Sequence, residues 1–192
     1  MNSRTLASVA VFAALTVVLN LSPAKVPAPY MPFLFYQIWE IPIVAAFLFS
    51  GPFAGVIIAV VNTLVLLGLF PGALPTGPLY NLAAVLGMLL GIYFSHKLLR
   101  QAFGKQSEAM LTTSSTALGI VLRVAIMTVV NYSLLRFPPP VGYSMPEGAI
   151  ILTLPLIGLF NATLALYTIP LGYVLARAAS VGTKVSVPNA KP

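Results

Sequence analysis

Residues 33–70 read FLFYQIWEIPIVAAFLFSGPFAGVIIAVVNTLVLLGLF, a nearly continuous apolar run interrupted at Gly51-Pro52, and the number of helices it holds decides the fold. A membrane-crossing helix takes about 20 residues, so the run is either one long helix or two short ones. Charge settles the choice. Arg4 lies in the first apolar segment's opening turn, His96-Lys97-Leu98-Leu99-Arg100 and Lys105 follow the segment ending near Phe94, and Arg177 with Lys184 closes the last one. Lys and Arg are retained on the cytoplasmic side, which places all three groups inside. A chain that starts inside is inside again at His96 only after an even number of crossings. One span before Pro32 and one after Pro78 therefore require two between them, with the turn at Gly51-Pro52.

The sequence thus predicts an all-α integral membrane protein, a bundle of six transmembrane helices in a single domain over 1–192, multi-pass in the cell membrane with both termini cytoplasmic. The expected spans are roughly 3–21, 33–50, 53–70, 79–99, 115–136 and 150–177. External segments 22–32, 71–78 and 137–147 are stiffened by proline, and 101–113 forms the one sizeable inner loop. Within the last run Pro155 is expected to begin the helix proper and Pro170 to kink it.

Composition narrows the chemistry. The chain is 59% hydrophobic and 7% charged, with a mean hydropathy of +0.98, so a bilayer is its solvent. Without cysteine it has no disulfide and no thiolate ligand or nucleophile. One histidine and three acids, Glu40, Glu108 and Glu147 in separate segments, give a hydrolase or a metal site little to build on. No enzyme activity, metal or cofactor is expected. The +7 charge is scattered around span ends, so no nucleic-acid partner is expected either. The first apolar segment lacks a strongly basic start and a small-residue cleavage site, and reads as a permanent span.

Against this background the polar residues stand out. Asn62, Asn81, Asn131 and Asn161 sit in strongly apolar runs, where an amide is costly unless it meets a partner. At 1.5 Å per helical residue, Asn81 lies just inside the outer end of span four. Asn131, Asn161 and Asn62 lie about 8, 9 and 12 Å below that surface. The inner half has no comparable set, so an outward-opening pocket is expected. Interhelical packing is the plain alternative for each asparagine alone. Clustering next to Tyr80, Tyr132 and Thr163 favours a shared site for a neutral, heteroatom-rich ligand, since an amide both donates and accepts. Tyr36, Trp39 and Glu40 form the second polar–aromatic concentration, either an interfacial belt or a wall for a flat ring. Glu40 is placed to cap a short helix or to contact ligand. Arg123 is expected to snorkel to the inner surface, and the lack of membrane-embedded acids argues against a proton- or sodium-coupled carrier. Ala10 and Ala14 form a small-residue face on span one that lets another helix approach.

Several stretches resemble a known family. Glu40-Ile41-Pro42 followed by Gly51-Pro52-Phe53-Ala54-Gly55 is similar to an element of the S components of energy-coupling factor (ECF) vitamin transporters. Val61-Asn62-Thr63-Leu64, Gly77-Pro78-Leu79-Tyr80-Asn81, Arg123 through Met127 to Asn131-Tyr132, and Leu159-Phe160-Asn161 resemble the riboflavin-specific branch. The chain departs from that branch at Leu164 and Val61, where lysines are usual, and in the reduction of an aspartate-rich stretch to Gln37 and Glu40. The resemblance implies a substrate-binding subunit of an ABC-type importer that captures a vitamin, riboflavin first, as transported ligand. It implies docking through Ala10 and Ala14 onto a separate transmembrane coupling subunit driven by two cytoplasmic ATPases, with segment 22–32 as a gate. Ligand contacts would fall to Asn81, Asn131, Tyr132 and Asn161, and ring contacts to Trp39 and Tyr36. An S component for pantothenate, thiamine, a pyrimidine or a queuosine precursor, a self-sufficient facilitator, and a membrane enzyme are the alternatives.

Overall fold

The computed structural model describes residues 3–69, 74–103 and 107–183, without the side chain of Arg4. Phe70, the 71–73 part of the second external segment, Lys105 and Lys184 lie outside the described residues. Among those described, the chain forms α1 (Ser3–Leu21), β1 (Val26–Ala28), β2 (Met31–Tyr36), α2 (Ile41–Ser50), α3 (Pro52–Leu69), α4 (Gly77–Phe103), α5 (Glu108–Leu134) and α6 (Glu147–Thr183). Four segments, Pro52–Leu69, Gly77–Ala102, Glu108–Leu134 and Glu147–Gly182, are long and apolar enough to cross a membrane, while Thr5–Leu21 and Ile41–Ser50 are shorter apolar helices.

The segment 33–50 differs from the helix expected there. It is strand to Tyr36, then a turn, and helical only from Ile41. Pro42 is the cause: it lacks an N–H and is tolerated in a first turn but not in a helix interior. The resulting ten-residue helix is about 15 Å long, half a hydrocarbon core of about 30 Å. The last helix also departs from expectation, starting at Glu147 so that Pro155 lies in its interior. At the α2–α3 turn Gly51 has φ of 100°, a region glycine enters without a side-chain clash, and Pro52 opens α3 where a missing N–H is harmless.

Helix α2 is apolar all round and every residue from Pro42 to Phe49 is buried, as a helix without a polar face must be in a core. It packs against α1, α3 and α6; α3–α4, α4–α5 and α5–α6 contacts close the ring, and α1 lies across α2 and α3. The α4–α5 crossing is close because it lacks side chains. A Cβ on Gly91 would stand 2.5 Å from the Gly119 Cα and from the Leu118 carbonyl oxygen. On α1, Val9 and Phe12 point into the core, while Leu6, Ala10, Val11, Ala14 and Val18 are exposed.

The expected gate segment 22–32 is partly a strand. β1 and β2 pair antiparallel (Val26↔Tyr36, Pro27↔Phe35, Ala28↔Met31), with an irregularity between Pro27 and Ala28. Ala28 packs with Phe160 and Leu164 of α6, and the Phe33 ring lies 5.6 Å from that of Tyr143 in the 137–146 connection. The hairpin is thereby laid against the middle of α6.

Candidate ligand pocket

Beneath the hairpin is a cavity of about 160 Å³ lined by Phe33, Leu34, Phe35, Gln37, Trp39, Glu40, Asn81, Phe160 and Leu164. Hairpin, turn, α4 and α6 each contribute. The turn is held by Tyr167 of α6, whose hydroxyl donates to the Gln37 carbonyl oxygen at 2.6 Å. Tyr36 packs its ring 5.0 Å from Phe160 and shares a 2.5 Å hydroxyl–hydroxyl hydrogen bond with Tyr30 at the hairpin tip. Burial, and then Tyr36 itself, push the Tyr30 phenol up to about 12, so Tyr30 keeps its proton across the physiological range.

The buried end of the cavity is an ion pair. Glu40 stands at the N-cap of α2 but makes no capping bond with its side chain. Its carboxylate instead accepts from both Arg123 terminal nitrogens, Nη1 to Oε2 and Nη2 to Oε1 at 2.9 Å. The same guanidinium donates from Nε to Asn161 Oδ1 at 3.0 Å and approaches the Met88 sulfur at 3.6 Å. Asn161 Nδ2 donates to the Ile157 carbonyl oxygen at 2.9 Å, so its amide is fully directed. One charged cluster thus links α2, α4, α5 and α6.

Two sequence expectations are overturned here. Arg123 does not snorkel: it is 2% exposed and sits in mid-helix, about 22 Å from the start of α5 and about 16 Å from its end. No run of methylenes reaches an interface over that distance. An embedded acid also exists, since Glu40 is 2% exposed. Its pairing is not legible in the sequence, because Arg123 lies 83 positions away and no local pattern announces such a partner.

The four asparagines do not converge on one pocket. Asn81 lines the cavity and is exposed, and Asn161 reaches it through Arg123. Asn62 is buried against α1, where Asn20 Nδ2 donates to its Oδ1 at 3.3 Å. Asn131 is buried with its Nδ2 donating to the Met127 carbonyl oxygen at 2.7 Å. Tyr132 is exposed, donating to Glu147 Oε1 at 2.6 Å with Arg136 stacked 4.9 Å over its ring. Trp39 and Glu40 are in the pocket wall, and Tyr36 is one packing layer behind it. Sequence reasoning missed Phe160 and Leu164 as lining residues, and Gln37 as a polar one.

The half of the bundle expected to lack polar groups has them. At the end of α4 that carries Lys97 and Arg100, His96 Nε2 and Tyr173 hydroxyl are 2.5 Å apart, Ser115 Oγ is 2.9 Å from that hydroxyl, and Ser95 donates to Ser114 at 2.8 Å. Ser95, His96 and Ser115 are buried; Ser115 donates to Ser95, and Ser115 and His96 share the Tyr173 hydroxyl, which makes this a brace across α4, α5 and α6. Spaced as small hydroxyls over three helices, the set carries no legible sequence period.

No family model and no curated protein matches this sequence. Among solved structures the fold is similar to that of the S component of a bacterial ECF transporter, with a TM-score of 0.73 over 96% of this chain and 99% of that one, at 24% identity. The likeness is one of fold: a helical membrane-protein bundle of the same extent.

Proposed function

We propose that this chain is the substrate-binding membrane subunit of an ECF-type importer, capturing a vitamin from outside the cell and handing it to a coupling module supplied in trans. The observation that carries this reading is the pocket beneath the hairpin, with aromatic walls and a neutralised ion pair at its buried end. It is a few convergent polar groups in an apolar concavity, the usual make-up of a small-molecule site. The fold likeness and the sequence motifs point the same way. The chain contains no phosphate-binding loop of the GxxxxGK type, so hydrolysis would be done by two separate cytoplasmic ATPases beneath a transmembrane coupling subunit. The exposed Ala10–Ala14 face of α1 is the proposed docking surface, with both termini cytoplasmic and the hairpin outside.

Riboflavin is the ligand proposed first, on the motif resemblances. Its three-ring system exceeds a cavity of about 160 Å³, so only part of it fits beneath the hairpin in this arrangement. A smaller ring-bearing nutrient is the second reading, favoured by that volume and by apolar Leu164 in the wall. The test is titration of purified protein with riboflavin, whose own fluorescence is quenched when the ring is buried against aromatics. Saturable quenching that is lost in Trp39→Ala supports the flavin reading; no quenching, with uptake of another vitamin on co-expression of a coupling module, moves the assignment to the second. No vitamin bound and no module-dependent uptake refutes the proposal.

A further inference from the structure

The cavity's polar groups restrict what it can hold more narrowly than its size does. Among the described residues, Glu40 is the single charged side chain lining it, and Arg123 matches that charge from behind. A charged ligand would therefore meet no free counter-charge, and a neutral one is favoured. The carboxylate only accepts hydrogen bonds, and it has acceptor sites beyond the two that Arg123 fills. Gln37 also lines the cavity, and its Oε1 is cut off from solvent and has no hydrogen-bond partner among the described residues. A buried acceptor left unmet is a standing cost that a donor on the ligand removes. Trp39, Phe33, Phe35 and Phe160 supply flat apolar walls around these acceptors. The volume, about 160 Å³, is that of one six-membered ring with its substituents; an engineered cavity of about 150 Å³ takes up benzene.

Resting on the reading of this pocket as the ligand site, we infer that it selects an uncharged, flat ring carrying two hydrogen-bond donors, one directed to Glu40 and the other to Gln37 Oε1, which the side chain presents by turning toward the ligand. Asn81, exposed and able both to donate and to accept, contacts the part of the ligand that lies toward the open end. In a larger ligand, the donor-bearing ring or chain is the part that enters first.

Trp39 is the only tryptophan of the chain and lies in the pocket wall, so its emission reports occupancy directly. The probes are uracil, a flat neutral ring with two N–H donors, and 1,3-dimethyluracil, the same ring with none. Each is titrated into purified full-length protein and into Gln37→Met, which keeps the side-chain length and the backbone carbonyl used by Tyr167. Uracil is expected to shift Trp39 emission saturably and to bind about tenfold or more tightly than the dimethyl compound, the ratio for one lost buried pairing. In Gln37→Met that ratio is expected to shrink at least threefold, through weaker uracil binding. Equal affinities overturn the inference, and so does a ratio unchanged in Gln37→Met, because then bulk alone excludes the methyl groups. If riboflavin changes Trp39 emission but neither probe does, the donor rule fails while the site stands. If nothing changes it, the pocket assignment falls with the inference.

Discussion

Removing Arg123 alone strands a carboxylate in the middle of the bundle, and the size of that effect tests how this fold is held together. Glu40 and Arg123 side chains are 3% and 2% exposed. In Arg123→Met the Glu40 carboxylate loses both of its guanidinium bonds, and Asn161 Oδ1 loses its donor. Breaking a buried pair by deleting one partner costs about 3–5 kcal/mol, because the remaining charge is uncompensated. For a chain of this length each 1 kcal/mol moves the melting temperature by roughly 2–4 °C, so a fall of roughly 6–20 °C is expected. The double variant Glu40→Leu/Arg123→Met removes both charges and leaves only the Asn161 amide short of a partner, a loss of about 1–3 kcal/mol. It should therefore melt above Arg123→Met, and the thermodynamic cycle should show strong coupling. Arg123→Lys should fall between, since an ammonium cannot grip a carboxylate and an amide in the same fork. Thermal unfolding in one mild detergent, followed by intrinsic fluorescence and by size exclusion, measures the parent, Glu40→Leu, Arg123→Met, Arg123→Lys and the double variant. A drop below about 2 °C for Arg123→Met, or a double variant no better than the sum of the singles, refutes the claim that the pair is buried and mutually dependent.

Glycine packing gives a second, independent check. Gly91→Ala forces a Cβ against the backbone of α5 and should destabilise by about 1–3 kcal/mol, whereas Gly119→Ala meets only the tip of Ile169 and should cost less; the same melting assay ranks them. At high pH the hairpin should loosen. Tyr30 titrates at about 12 in the folded protein against about 10 in an open chain, so above pH 10 the open form sheds its proton first and the Tyr30–Tyr36 bond is progressively lost. Phenolate absorbance of Tyr30→Phe against the parent, and proteolysis of the 22–36 segment across that range, follow it. Ala10→Trp should leave ligand binding unchanged and abolish module-dependent uptake, because Ala10 is exposed on α1 and a bulky ring there blocks helix approach; unchanged uptake removes that face from docking.

Features that depend on local composition can be read from the residues alone. Apolar length marks out the long helices α3 to α6, and Gly51-Pro52 marks the reversal between α2 and α3, because a helix-breaking pair acts on its own neighbours. Pro42 carried an equally local message, that no helix runs through 33–50, but aromatic and aliphatic content alone reads the same for a strand as for a span. The hairpin therefore appeared only in three dimensions. The site divides the same way. Trp39, Glu40 and Asn81 were visible as polar or aromatic interruptions of apolar sequence, and the structure lines one cavity with them. The partnerships were decided by tertiary packing. Glu40 with Arg123, Arg123 with Asn161, and Asn62 with Asn20 join residues 38 to 83 positions apart, and each consumes hydrogen-bonding capacity that sequence would otherwise leave to a ligand. A buried polar residue announces that it must have a partner; only the fold chooses which one.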